Sequence, residues 1–318
     1  MISVIVPVYN AQERLSACLD SLLNQTLSND LYEIILLNDG SKDQSADICR
    51  EYAKKYSNIV FIDKENEGVS KTRNFGIRMA KGDYIVFVDN DDQIEPDYLA
   101  THYHAIKDSD FDLVISGYKR MKYNGEVIHQ ELLKDTEWSK YIIMAPWARI
   151  YRKSFLIDNH ITFFDYGIGE DVVFNLKVLS KTDKIKIIFY SGYQWMYNEE
   201  SVSNTSQRGL KETVDIRVLL EEILKWNKHP NQYLTYFIER YYIWYLLFSG
   251  RSSDKATFIN YYCQVKEFLK ANALVSDISP MSPKISGESL FNRMIVLLFQ
   301  LTERLHLMKV FAYLYCKG

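Results

Sequence analysis

Apolar positions in the first ninety residues alternate between two periods. Residues 2–6 form a short β-branched run, and behind it Leu15, Cys18, Leu19, Leu22 and Leu23 recur at helical spacing within 12–25. The alternation repeats: strands are predicted at 34–37, 59–62 and 84–88, with helices at 44–55 and 69–80 between them. Strand–helix–strand repetition with crossovers of this length predicts an α/β fold, a mostly parallel sheet flanked by helices on both sides. Ligands of such sheets bind beyond the carboxyl ends of the strands. That rule singles out 7–11, 38–43, 63–68 and 89–92.

The middle of the chain changes character. A strand is predicted at 113–116, and Asn124-Gly125 marks a hairpin between 118–123 and 126–130. Further elements follow at 145–151, a helix at about 170–180, and strands at 184–190 and 193–197. Beyond about residue 210 the pattern is helical, over 210–226, 232–249, 255–271 and one long helix at 290–315. The segment 276–287, with Pro280, Pro283 and several serines, reads as a linker. Two domains are expected, 1–205 and a mainly α-helical 206–318.

Composition narrows the classes. With 38 Lys+Arg against 41 Asp+Glu the formal charge is −3, so the basic excess of a general polyanion binder is missing and nucleic acid is not expected as a partner. Four scattered cysteines, Cys18, Cys49, Cys263 and Cys316, contain no C-x-x-C pair, which argues for a reducing compartment and against a zinc or disulfide framework. The opening MISVIVPVYN looks like a first strand rather than a secretory leader. No stretch approaches the roughly 18 uninterrupted apolar residues of a spanning helix. A cytoplasmic protein, soluble or peripherally attached, is expected.

The sharpest local feature is Asp89-Asn90-Asp91-Asp92, directly after an apolar strand. Carboxylates this close repel one another unless water or a cation sits among them. An oxygen-only cluster at a strand end suits Mg²⁺ or Mn²⁺, held by one or two carboxylates and completed by phosphates; an acidic helix-capping turn is the plainer alternative. Pro7-Val8-Tyr9-Asn10, Asn38-Asp39-Gly40-Ser41 and the run from Asn66 to Asn74, with cations Lys71 and Arg73 near a helix start, fall at the same sheet edge. Each alone reads as a loop, a turn or a solvated helix start. Their convergence is harder to explain that way. Glu170-Asp171 opens a helix pinned by Val172, Val173 and Phe174, a second acidic site or a simple complement to the helix dipole.

In this order the segments PVYN (7–10), EIILLNDGSKD (33–43), NEGVSKTRNFGI (66–77), GDYIVFVDNDD (82–92), PWARIYRKSFL (146–156) and GEDVVF (169–174) resemble family 2 glycosyltransferases of the GT-A fold, of the bacterial polysaccharide type. The resemblance covers roughly the first 200 residues. It implies an inverting, metal-dependent transfer from a UDP-sugar to a saccharide or lipid-linked saccharide. In that scheme Tyr9 stacks on uracil in a pocket formed with Pro7 and Val8, beside Asn10, and Asp39 accepts from the uracil imide. Asn66 and Arg73 serve the nucleotide, and Arg73 anchors the diphosphate. Asp91 holds Mn²⁺ or Mg²⁺, with Asp89 and Asn90 near the ribose or the metal. Asp171 is the general base, Glu170 orients it, and Trp147 either contacts sugar or acceptor or belongs to the core. The helix start is expected to keep Asp171 ionised at neutrality by lowering its pKa. Asn38 and Lys71 depart from the family pattern, which usually has Asp and a small residue there.

The tail from 284 onward carries Lys284, Arg293, Arg304, Lys309 and Lys317 against Glu288 and Glu303. Apolar residues Met294, Leu297, Leu298, Leu301, Leu305, Met308 and Tyr315 recur at helical spacing. Packing on neighbouring helices, a surface anchor at the inner membrane face and a homo-oligomer contact are its three candidate uses. A non-catalytic nucleotide-sugar-binding scaffold, recruiting a partner through the tail, is the rival to an enzyme. A sugar-nucleotide pyrophosphorylase is disfavoured because 7–14 lacks the glycine-rich loop.

Overall fold

The computed structural model describes residues 1–198, 209–210 and 214–317. The chain divides into two compact units. One comprises Met1–Asp135 and Ile143–Tyr197, the other Thr136–Ile142 and Asn198–Gly318. The expected boundary at 205/206 lies outside the described residues.

The first unit is the expected α/β architecture. Strands β1 (Ile2–Val8) and β2 (Tyr32–Asp39) are buried along their whole length, which is why they read as continuous apolar runs rather than alternating ones. Helix α1 (Leu15–Leu23) joins them, and α2 (Ser45–Lys55), β3 (Ile59–Lys64), α3 (Val69–Met79) and β4 (Tyr84–Phe87) continue the winding. After β4 come β5 (Gln93–Ile94), α4 (Tyr98–Ile106), β6 (Leu113–Ile115), β7 (Tyr118–Met121) and β8 (Val127–Glu131). Then follow β9 (Arg149–Arg152), α5 (Lys153–Asp158), α6 (Glu170–Leu179), β10 (Ile185–Ile187) and β11 (Tyr193–Met196). The main sheet has the order β10-β6-β9-β4-β1-β2-β3. All its pairings are parallel except those of β9, which runs antiparallel between β4 and β6.

Of a second sheet, β5-β11-β7-β8, the β7–β8 hairpin and the β11 strand were legible, but β5 and the pairing of β11 with β7 were not. Its edge strand β5 has two residues, too few for any periodicity.

The second unit is helical. Its described helices are α7 (Ile216–Trp226), α8 (Gln232–Gly250), α9 (Lys255–Ala271), α10 (Leu290–Arg304) and α11 (Met308–Tyr315). Asp215, Asn231, Asp254 and Ser289 begin the first four, each accepting from a first-turn N–H. The stretch 136–142 joins this unit through Trp138, whose ring meets Tyr236 at 5.1 Å beneath the Arg240 guanidinium. The single helix expected at 290–315 is in fact two. His306 takes a left-handed conformation (φ 58), His306 N–H donates to Glu303 O and Leu307 N–H donates to Thr302 O, a Schellman stop built without glycine. No helix among the described residues is long and apolar enough to cross a membrane.

Candidate active site

The carboxyl ends of β1, β2 and β4 bring the first predicted segments together. Pro7 and Val8 are interior strand residues, so they shape the floor with their backbones rather than offering side chains. Tyr9 follows with its ring half exposed. Asn10 sits at φ 47 and ties two loops: its N–H donates to Ser41 Oγ (3.0 Å), and Lys42 N–H donates to its Oδ1 (2.8 Å). Asn90 Nδ2 donates to Pro7 O (3.0 Å), fastening the β4 exit to the β1 exit.

Asp39 ends β2 and is buried. Lys64 Nζ, Glu67 N–H and Gly68 N–H all donate to its carboxylate. Burial works to raise its pKa, but the bond and charge of Lys64 with the Glu67 N–H and Thr72 outweigh it and hold the carboxyl below the usual range. Asn66 Nδ2 donates to Asp39 O (2.8 Å) and closes the turn. Gly40 permits that closure: its φ is +69, and a Cβ there would lie 2.8 Å from the Asn66 backbone nitrogen. The departing Asn38 donates to Asp63 and accepts from Ser41, and Lys71 pairs with Asp165 at 3.2 Å. Sequence reasoning missed Lys64. The signal was the strand register, which sets it directly opposite Asp39 on β3.

Arg73 is the centre of the arrangement. It lies on the buried face of α3, its guanidinium 5.3 Å from the Phe163 ring centroid. One nitrogen donates to Asp89 Oδ1 (2.8 Å) and another to Glu170 Oε1 (3.3 Å). A single buried cation thus joins the β4 exit to the start of α6. Asp89 and Glu170 are 81 positions apart in sequence. Asp89 and Asp91 are both half-buried. Asp92 turns inward, accepting from Tyr193 OH (2.7 Å) and Met196 N–H (2.8 Å), so it is a structural member of the cluster.

Among the described residues no three His, Cys, Asp or Glu side chains converge into a ready-made metal cage. The donors still suit a hard cation: Asp89 engages Arg73 through Oδ1, and Asp91 stands two residues on, an oxygen set that would need phosphate or water to complete it.

Gly169, left-handed at φ 66, turns the chain into α6, and Phe174 stacks on Phe163 at 3.9 Å to fix the helix. Asp171 Oδ1 accepts from its own neighbour's N–H, Val172, at 2.7 Å. The expectation that the helix start lowers its pKa is corrected here. Burial first and the Glu170 charge second push Asp171 up to about 7, against the opposing pull of Arg73 and the Val172 N–H. Desolvation outweighs the helix terminus because the carboxylate stands among close-packed protein beside a like charge.

Trp147 is largely buried, stacked on Tyr193 at 4.5 Å and meeting Tyr118 edge-on at 5.2 Å. Tyr193 in turn bonds Asp92 and accepts from the Asp89 N–H (3.2 Å), so Trp147 backs the ring that positions the acidic turn. All four cysteines are free.

Comparison with known proteins gives the family. The glycosyl transferase family 2 profile matches residues 3–204. The chain is 32% identical over 222 residues to the glycosyltransferase GlyA of Streptococcus pneumoniae, covering 64% of this chain and 31% of that protein. It is 35% identical over 208 residues to the poly(ribitol-phosphate) beta-glucosyltransferase of Bacillus spizizenii, covering 63% of this chain and 32% of that one. It therefore spans about a third of the length of these curated relatives. Among solved structures, S. aureus TarS 1–349 in complex with UDP-GlcNAc superposes with a TM-score of 0.70 at 24% identity, over 94% of this chain and 91% of that one, a likeness of fold. With the profile matching residues 3–204, which include nearly all of the main sheet and both acidic segments, the chain belongs to glycosyl transferase family 2.

Proposed function

We propose that the first unit transfers a hexosyl or N-acetylhexosaminyl group from a UDP-sugar to a hydroxyl of a saccharide or lipid-linked saccharide, with inversion, in the synthesis of a cell-surface polysaccharide. The observation that supports this is the Arg73 bridge, which links Asp89 to Glu170 and so brings together the two acidic segments that this reading assigns to donor and base. The TarS complex with UDP-GlcNAc supports uridine as the nucleotide. The first unit acts as the catalytic domain and the helical unit, which includes 136–142, as an accessory domain. Free, scattered cysteines fit work at the cytoplasmic side of a membrane.

Tyr9, exposed at the β1 exit, stacks on the uracil ring. Asp39 takes the uracil imide proton as a hydrogen bond, which requires Lys64, the long flexible member of its donor set, to move aside. Cytosine has no proton at that nitrogen, so the carboxylate discriminates against cytidine. Asn66, Asn10 and Asn90 hold the loops around the nucleotide. Asp91 and Asp89 would hold Mn²⁺ or Mg²⁺, which supplies charge neutralisation to the leaving diphosphate. Arg73 is occupied by two carboxylates, so it positions them and adds positive potential rather than docking phosphate directly.

Asp171 accepts the acceptor hydroxyl's proton as that oxygen bonds to the anomeric carbon. The bond from that carbon to the diphosphate breaks on the opposite face, and UDP leaves. Glu170, fixed by Arg73, orients the base and keeps its pKa high. A group titrating near 7 is suited to this work, since it is ionised at working pH and still basic.

Thermal shift with UDP, CDP and GDP, with and without Mn²⁺, tests the donor half. UDP with Mn²⁺ is expected to stabilise the protein most, CDP much less, and Asp91→Asn to remove the Mn²⁺-dependent part. Equal shifts for UDP and CDP, indifferent to Mn²⁺ and to Asp91, would refute it.

A further inference from the structure

The last two helices present apolar side chains outward as well as inward. On α10, Val296 and Phe299 face the unit's core, while Leu290, Phe291, Met294, Leu298, Leu301 and Leu305 are exposed, Phe291 to 68%. At 3.6 residues per turn those six fall within a stripe roughly 100° wide. On α11, Met308 and Ala312 are buried, and Val310, Tyr313 and Leu314 stand out, Leu314 to 78%. Among the described residues nothing covers this surface. An apolar band of this extent is not an ordinary feature of a solvated face.

Its surroundings are basic. Arg304, Lys309 and Lys317 are exposed on the same two helices or just past them. Lys255 places its ammonium 4.0 Å from the Tyr313 ring centroid, and Arg251 is joined to the tail by the Lys317 N–H donating to its carbonyl (2.9 Å). Of the neighbouring acids, Glu303 accepts from Tyr262 and Lys266, and Asp254, though exposed, is taken up in capping α9 and bonding Thr257. A local excess of cations stands out on a chain of net charge −3.

We infer that α10 and α11 lie on an anionic lipid bilayer, burying the stripe at the headgroup boundary with Arg304, Lys309, Lys317, Lys255 and Arg251 against acidic headgroups. Aromatic and aliphatic residues framed by cations are the composition of interfacial helices. Charge separates this occupant from a second copy of the chain. A two-fold pairing would set the same basic rim against itself, whereas an anionic surface attracts each cation about fivefold. The inference stands apart from the catalytic proposal, since it uses no residue of the first unit.

Flotation of the full chain with vesicles of phosphatidylcholine alone or of phosphatidylcholine mixed with phosphatidylglycerol tests it, the second carrying the negative surface potential that attracts Lys and Arg. The wild type is expected to float with the anionic vesicles and to be released by salt. Leu298→Glu with Leu305→Glu should lower binding at least tenfold, as should Arg304→Glu with Lys309→Glu, which leaves the apolar stripe intact. All four positions are exposed, so unchanged circular dichroism and melting temperature are expected of both variants. Absence of wild-type flotation, or flotation untouched by both variants, overturns the inference. So does a wild-type dimer in light scattering that Leu298→Glu with Leu305→Glu dissolves, because a second copy would then own the surface.

Discussion

Asp171 differs from an ordinary surface carboxylate because protein has replaced much of its water and Glu170 sits beside it. Its folded-state pKa of about 7 lies above the usual carboxylate value of about 3.9. The folded state therefore holds the proton more tightly than the unfolded chain between those values, and stability falls as pH rises from about 4 to about 7. Asp171→Asn removes that penalty: relative to wild type it should be no more stable at pH 4 but more stable at pH 8, by ~1–4 kcal/mol. Urea midpoints at the two pH values check this, and an unchanged difference would contradict the assignment. Wild-type transfer should rise with pH through a midpoint near 7. At this scale the carboxylates of the site were readable, because acids after apolar strands and at a helix start are conspicuous. Their states were not. The pKa of Asp171, the inward turn of Asp92 and the capture of Asp39 by Lys64 all depend on neighbours brought from other elements.

Parallel strands buried on both faces leave a strong trace, and β1, β2 and β4 were legible for that reason, while the edge strand β3, mostly half-buried, was legible from its short apolar run between two helices. Elements whose shape depends on special backbone states were not. The stop between α10 and α11 uses a left-handed His306 where the sequence cue would be glycine, and β5 is two residues long. The reverse case is Gly40, whose cue is real. Alanine there meets a φ of +69 and a backbone nitrogen at 2.8 Å, so Gly40→Ala should cost about 1–3 kcal/mol. The turn that holds Asn66 and Asp39 would shift with it, and UDP affinity should fall several-fold. Unfolding and UDP titration on the same preparation check both halves; unchanged affinity alongside the predicted stability loss would separate Asp39 from nucleotide binding.

Across the whole molecule, two units with different physics share one chain. The first builds its interior from a sheet that extends over distant sequence, and the second from helices amphipathic enough to fold together yet apolar on their far side as well. That the helical unit also recruits 136–142 was not visible in sequence, because Trp138 and Tyr141 look like any other aromatic residues until their partners on α8 are known. For the first unit, the central claim of the proposed function is that Asp171 removes a proton opposite a departing UDP. The most direct test is UDP release by Asp171→Asn, with Mn²⁺ and whichever UDP-sugar the wild type hydrolyses fastest, water serving as the acceptor, measured beside its affinity for UDP. The account predicts turnover reduced by about 10²–10⁴ relative to wild type, with UDP affinity within about threefold, as expected for a residue that binds no part of the nucleotide. Turnover equal to wild type in a variant that still binds UDP would contradict it.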